Sequence, residues 1–269
     1  MTSGVIYIAT GLKYVNEAIQ SATSLKTKMP KLPVTIFTDQ EVEAKCFDQV
    51  ELITQSELDS RIYKISYMYK SPYERTLFID TDTYVCADFS EVFTLLDRFD
   101  VALTHGLSKK DHESPIYGIP KSFPEMNSGV FLFKKGPQVE KLFDDWLNLY
   151  KNCLEKSEKP INRDQFSLRP VLYKSDLRIA TLTPEYNCLF HNIPFVFGEV
   201  KILHGRAPDL PEIARKINAK KDVHRVIRRP IGTYKTDIFY RFTTQQRILW
   251  GLRYPNRMFK YLRSKLLSN

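Results

Sequence analysis

The stretch Leu77-Phe78-Ile79-Asp80-Thr81-Asp82-Thr83-Tyr84-Val85 constrains this chain most, because it is apolar for three residues and then turns acidic. A short Leu-Phe-Ile run suits a strand covered on both faces, as in a parallel sheet. Such a strand ends in Asp-Thr-Asp only where its end meets water or a cation. Residues two apart on extended backbone point to the same side, so Asp80 and Asp82 would present their carboxylates together. Adjacent carboxylates repel and share protons unless a cation keeps both ionised. Oxygen ligands suit Mg²⁺, Ca²⁺ or Mn²⁺, and open α/β sheets bind ligands at the carboxyl ends of their strands. The competing reading is a solvated turn, since Asp and Thr are ordinary turn residues.

The surrounding chain alternates strands and helices. Val5–Ala9 reads as a first buried strand, followed by Thr10-Gly11 and a helix over about 14–26, whose apolar positions Val15, Ala18, Ile19, Ala22 and Leu25 recur at three and four. Strands follow at Val34–Phe37 and Gln49–Ile53, then a helix over about 60–69 that Ser71-Pro72 stops. Beyond the acidic strand, a short helix is predicted at Phe89–Leu96 and a strand at Asp100–Thr104. Residues 108–123, broken by Pro115, Gly118 and Pro120, read as a long binding loop. Ser128–Phe133 is a strand, 138–150 a helix, and Arg163–Leu172 a helix opened by Asn162. Late strands fall at Arg178–Leu182 and Val200–Leu203. This alternation predicts a mainly parallel sheet in a three-layer α/β/α domain.

Several classes drop out. GxGxxG, GxxxxGK[ST] and GxSxG are all absent, which disfavours dinucleotide enzymes, P-loop NTPases and α/β-hydrolases. Cys46, Cys86, Cys153 and Cys188 form no CxxC pair, which points to a reducing compartment rather than a zinc knuckle or disulfide framework. No basic-then-apolar leader opens the sequence and no run of eighteen apolar residues occurs, so the expectation is a cytoplasmic protein.

The order Tyr7-Ile8-Ala9-Thr10…Tyr14, Ser24-Leu25-Lys26, Lys64, Asp80-Thr81-Asp82, Asn127-Ser128-Gly129-Val130, Asp164-Gln165 and His204-Gly205 resembles the retaining glycosyltransferases of family 8, the glycogenin and lipooligosaccharide galactosyltransferase group, over about residues 4–206. The resemblance implies a GT-A (Rossmann-like) nucleotide-diphospho-sugar transferase fold. It implies Mn²⁺, with Mg²⁺ as the alternative, on Asp80, Asp82 and His204. Ile8, Thr10 and Tyr14 would hold base and ribose, with Thr81 beside the acids. Lys64 would approach the diphosphate, Asn127 and Ser128 would line the donor sugar, and Asp164 and Gln165 would lie beneath the anomeric carbon. Two positions depart from the family: Gly11 stands where an Asn is usual, and His204-Gly205-Arg206-Ala207-Pro208 replaces His-x-x-Gly-x-x-Lys-Pro-Trp. Arg206 would then meet the leaving phosphate in place of the missing Lys.

The activity the resemblance implies moves a sugar from a nucleotide-diphosphate donor, a UDP-linked hexose, onto a hydroxyl of a glycan or glycolipid. Gln165 is a poor nucleophile, so same-face attack beside the departing phosphate is the expected route to retention, with Asp164 orienting sugar hydroxyls. Alternatives are an inverting transferase with Asp164 as base, and a non-catalytic sugar-nucleotide-binding or membrane scaffold.

The charge is uneven. Residues 1–200 carry 23 basic and 27 acidic residues, a net of −4, whereas 201–269 carry 17 and 4, a net of +13. The expected division is a catalytic domain over 1–210 and a basic, aromatic helical region over 211–269. Met258, Phe259, Leu262 and Leu266 recur at helical spacing among Arg257, Lys260, Arg263 and Lys265. A basic amphipathic helix suits an anionic membrane surface, and peripheral attachment is expected. Nucleic acid is the weaker candidate partner.

Overall fold

The structure, a computed structural model, describes residues 2–54, 59–106, 118–157, 161, 163–192, 194–228 and 236–241. Its centre is a seven-stranded sheet of β1 (Ser3–Ala9), β2 (Val34–Thr38), β3 (Gln49–Leu52), β4 (Arg75–Ile79), β6 (Val101–His105), β7 (Met126–Lys134) and β8 (Ile179–Leu182), in the order β3-β2-β1-β4-β7-β6-β8. Every neighbouring pair is parallel except those of β7, which runs antiparallel to β4 and β6. Strand alternation divides the core. Val5, Tyr7, Leu77 and Ile79 face α1 (Leu12–Lys28), which contributes Val15, Ala18, Ala22 and Leu25. Ile6 and Phe78 face the other way, toward α2 (Ser60–Met68), α3 (Pro137–Lys156) and α4 (Gln165–Lys174), with Ile65, Phe143, Trp146 and Leu168. The outcome is the expected three-layer α/β/α arrangement, in which both faces of β4 are dry and only its end is polar.

Local chemistry starts these helices. Gly11 precedes α1 at φ 81°, a left-handed value that suits glycine, and donates its N–H to Asp39 Oδ1 at 2.8 Å. Asp59 caps α2 by accepting the Arg61 N–H at 2.9 Å. Pro137 occupies the first turn of α3.

A second, three-stranded sheet lies over the carboxyl ends: β5 (Thr83–Val85), β9 (Cys188–Leu189) and β11 (Ile202–His204), in the order β5-β11-β9. The expected late strand at 200–203 is therefore β11, shifted by one to two residues and outside the main sheet. The segment expected as a short helix at 89–96 is a 3-10 turn over Ser90–Asp97. The helix expected from Arg163 begins at Gln165, because the Asp164 carboxylate makes no capping bond and turns to Ser128 instead.

The region after residue 210 is not uniformly helical. α5 (Leu210–Asn218) is followed by β12 (His224–Arg228) and β13 (Asp237–Arg241), which form an antiparallel sheet with β10 (Phe195–Val196). Arg225 and Ile227 turn inward and are fully buried, so period-two burial overrides the helical reading there. Leu210, Ile213 and Ile217 of α5 pack with Phe190, Val196, Val200 and Leu203 in a third core cluster. The amphipathic stretch at 258–266, and residues 108–117 of the expected binding loop, lie outside the described residues.

Candidate active site

Asp80 is the first residue beyond β4, and its N–H donates to Gly129 O at 2.8 Å. The chain turns through Thr81 and Asp82 into β5. Antiparallel pairing of β5 with β11 sets His204 opposite Thr83, and the Gly205 N–H donates to Asp82 O at 2.8 Å. The ladder thus returns His204 over both acids: its Nε2 is 3.4 Å from Asp82 Oδ1 and 3.7 Å from Asp80 Oδ2. One ligand atom from each of the three residues lies within 4.8 Å of the others.

The imidazole is oriented from behind. Its Nδ1 lies 2.8 Å from Asn187 Oδ1, while Asn187 Nδ2 donates to Asn127 Oδ1 at 2.7 Å. Asn127 Oδ1 also accepts the Gly129 N–H at 3.0 Å. Because the amide nitrogen of Asn187 is spent on Asn127, its oxygen faces the ring, so Nδ1 carries a proton and Nε2 is the ring nitrogen left to face the acids. Gly129 makes room: a Cβ there would fall 2.2 Å from His204 Cε1 and 2.6 Å from Asp80 Oδ2. Two carboxylates, one inward-facing imidazole nitrogen and a glycine cradle fit a divalent cation with O/N preference, such as Mn²⁺.

The electrostatics agree. Burial raises the Asp80 carboxyl above its usual range, outweighing the pull of Lys64 and His204. Burial would raise Asp82 as well, but His204 and Arg206 hold it well below the usual carboxylate range. Side chains thus neutralise Asp82 but leave Asp80 under a burial penalty, which a divalent cation would relieve. Lys64, on α2, reaches Asp80 Oδ1 at 3.1 Å, Asp164 Oδ2 at 3.2 Å and Ser128 Oγ at 3.0 Å. Burial would lower its pKa, yet Asp164 and Asp80 keep it raised, so the ammonium stays charged. Arg206 reaches Asp82 Oδ2 at 3.1 Å from the other side.

These groups border a cavity of about 300 Å³ at the carboxyl ends of β1 and β4. Of the residues expected from sequence, Ile8, Thr10, Tyr14, Lys64, Asp80, Thr81, Asp82, Asp164, His204 and Arg206 line it. Asn127, Ser128, Gly205 and Gln165 are not among its lining residues. Asn127 and Ser128 act instead on residues that are, through Asn187 and His204 in one case and through Lys64 and Asp164 in the other. Gly205 sits at φ 136° against His191, and Gln165 opens α4 half-buried.

Sequence reading missed Asn187, Glu17, Ser60 and Arg61. Ser60 and Arg61 line the cavity from the first turn of α2. Glu17 lies three residues after Tyr14, a spacing that places both on one helix face and was available as a signal. Nothing local marks Asn187, which follows a 3-10 turn over Pro184–Tyr186.

No family model matches the sequence, and no curated protein matches it. Among solved structures, the glycosyltransferase GlyE of Streptococcus pneumoniae TIGR4 aligns at 16% identity and a TM-score of 0.55, over 82% of this chain and 61% of that one. The galactosyltransferase LgtC, solved with donor and acceptor sugar analogues, aligns at 10% identity and 0.52, over 80% of this chain and 95% of that one. Mouse xyloside xylosyltransferase 1, in its apo form, aligns at 14% identity and 0.54, over 77% and 98%. The chain therefore spans about three fifths of the length of GlyE and shares the GT-A fold of these glycosyltransferases.

Proposed function

We propose that this chain is a divalent-metal-dependent, retaining glycosyltransferase that moves a sugar from a nucleotide-diphosphate donor, a UDP-hexose, to a hydroxyl of a glycan or glycolipid. The observation that carries the reading is the convergence of Asp80, Asp82 and His204, flanked by Lys64 and Arg206, on one cavity at the strand ends of this fold. LgtC, which shares the fold, was solved with donor and acceptor sugar analogues.

Asp80, Asp82 and His204 would hold Mn²⁺, whose Lewis acidity stabilises charge developing on the diphosphate as the sugar leaves. Lys64 supplies a fixed positive charge, because Asp164 and Ser128 hold it from below. Ile8, Thr10 and the half-exposed Tyr14 form the cavity wall that suits base and ribose. Asp164, buried but on the cavity, orients sugar hydroxyls, and Ser128 Oγ fixes its carboxylate at 3.0–3.1 Å. Asp164 rather than Gln165 is then the polar group that the donor sugar meets first. Among the described residues, the one imidazole on the cavity is His204, which would serve the metal. The proposed route is same-face attack, in which the departing phosphate oxygen would take the acceptor proton while the acceptor oxygen bonds to the oxocarbenium-like sugar on the face the phosphate leaves.

The test is a thermal-shift and hydrolysis panel of nucleotide sugars with and without Mn²⁺, on the wild type and on Asp80→Asn/Asp82→Asn. One UDP-sugar should stabilise the wild type and be slowly hydrolysed, in a Mn²⁺-dependent way lost in the double variant. Binding indifferent to metal sinks the reading. The anomeric configuration of the transfer product, read by NMR, separates retention from inversion.

The membrane surface is part of the same proposal. Supporting it are the +13 charge of residues 201–269 and the exposed aromatics Phe195 and Phe239 on the β10–β12–β13 sheet, with Phe197 just beyond β10. Among the described residues, no helix is long and apolar enough to cross a membrane.

A further inference from the structure

Arg206 does not stand at the cavity by itself. Its Nε and Nη2 donate to Glu17 Oε1 and Oε2 at 2.8 and 2.9 Å, a bidentate fork from the start of the α5 approach to the outer face of α1. Thr81 Oγ1 donates to the same Glu17 Oε2 at 3.0 Å. The guanidinium carbon lies 5.7 Å from the centre of the Tyr14 ring, and Nη1 is 3.1 Å from Asp82 Oδ2. Carboxylate, ring and metal-ligand acid therefore fix one guanidinium from three sides. The Arg206 side chain is half exposed, and pairs of that kind add little to stability. A two-bond fork still sets direction, because the planar guanidinium matches a carboxylate in one geometry only.

A second cavity of about 340 Å³ adjoins the pair; it shares Thr81, Asp82 and Arg206 with the first and extends past Glu17 to Gln20, Pro208 and Leu210. A guanidinium without its fork has room to swing there, away from Asp80, Lys64 and His204, which line only the first cavity. Glu17 is thus what keeps the charge on the donor side.

Resting on the nucleotide-sugar reading above, we infer that Glu17 is a positioning residue, which pins Arg206 as the cation for the donor's diphosphate in a chain that lacks the expected downstream lysine. Lys64 and Arg206 then meet the diphosphate from opposite sides. Lys64 is held through Asp164 and Ser128, and Arg206 through Glu17. The inference separates Arg206 from the metal ligands. Because the guanidinium beside Asp82 carries the same sign of charge as a metal ion, removing it should not weaken the binding of a metal ion alone.

The experiment is titration calorimetry of Mn²⁺ alone, and of UDP in saturating Mn²⁺, on the wild type, Glu17→Gln, Arg206→Ala and the double variant, with melting curves to show that each is folded. Arg206→Ala should weaken UDP about tenfold and leave Mn²⁺ binding equal or tighter. Glu17→Gln should weaken UDP by a similar factor, and the double variant no further than Arg206→Ala, since one residue acts through the other. Additive losses in the double variant overturn the inference. So does a loss of Mn²⁺ affinity in Arg206→Ala that matches the loss of UDP, which would make Arg206 a support for Asp82 only. A wild type that binds neither Mn²⁺ nor UDP removes the transferase reading and the inference together. Wild-type binding of both, with Glu17→Gln indistinguishable from it, removes the inference alone.

Discussion

His204 is turned toward Asp80 and Asp82 by its neighbours, as a metal ligand would need to be. With Nδ1 committed to Asn187, only Nε2 can face Asp80 and Asp82, and Asn187 is itself locked by Asn127. Outer-shell partners of this kind commonly set metal affinity by 10- to 100-fold. Asn187→Ala should therefore weaken Mn²⁺ binding by about 10- to 100-fold while the chain stays folded; calorimetry with Mn²⁺ alone checks it, and unchanged affinity would show that packing, not Asn187, orients the ring. Glu125 is a second residue whose behaviour follows from its surroundings. It is 2% exposed just ahead of β7, and burial pushes its carboxyl up to about 7, with Asp164 adding to the rise and Arg169 opposing it. An acid whose folded pKa lies above its unfolded value costs stability as pH rises between the two, here from about 4.5 to about 7. Glu125→Gln removes that cost. It should stabilise the protein by about 1–3 kcal/mol at pH 8 and change little at pH 4.5, read from melting curves at both pH values.

At the scale of elements, the site depends on two junctions. The first is the β5–β11 ladder, which is short and carries His204 at its tip. The second is the α3–α4 contact, where Trp146 Nε1 lies 3.3 Å from Asp164 O and 3.1 Å from Ser167 Oγ. Fully buried Trp146 therefore anchors the backbone at the head of α4, from which the Asp164 carboxylate enters the cavity. Trp146→Phe keeps an aromatic ring and removes the N–H. It should cost about 1–3 kcal/mol of stability in denaturant unfolding. Under the proposed function it should also lower turnover through a displaced Asp164, with UDP binding preserved. A stability loss with full turnover would mean that Asp164 is held by Ser128 and Lys64 alone. β7 adds a further device: its pairing with β6 jumps from Phe131 to Asn127, skipping 128–130, while β4 still pairs with Val130. This irregularity sits where Ser128 and Gly129 meet the acids, a placement common for bulges near functional sites.

Over the whole molecule, charge and architecture divide unequally. The nearly neutral first 200 residues contain the main sheet, and the basic remainder begins inside the body, since β11, α5 and β12 share a core cluster with residues 188–200. Any truncation that tests membrane attachment should therefore stop after β13, not before it. A chain ending at residue 241 should keep the fold and lose flotation with anionic liposomes, each removed Lys or Arg weakening attachment by on the order of 1 kcal/mol. Equal flotation of the two chains would place attachment, if any, on the aromatic sheet around Phe195 and Phe239.

Sequence alone determined the layers and the acid pair. Periodicity is a local property, and the apolar alternation at Leu77–Ile79 and the i, i+3/i+4 stripe at 15–25 predict the strand and the helix without knowledge of the partner. The resemblance carried by motif order along the chain pointed to ten residues that line the cavity. Tertiary structure alone decided what depends on meeting across the chain. Asn187 behind His204, Glu17 beneath Arg206 and the skipped pairing of β7 are contacts between segments with no shared local pattern. The same holds for 224–228 and 237–241. A basic, aromatic composition fits helix or strand equally well, and it was the buried partners of Arg225 and Ile227, not propensity, that made those segments strands.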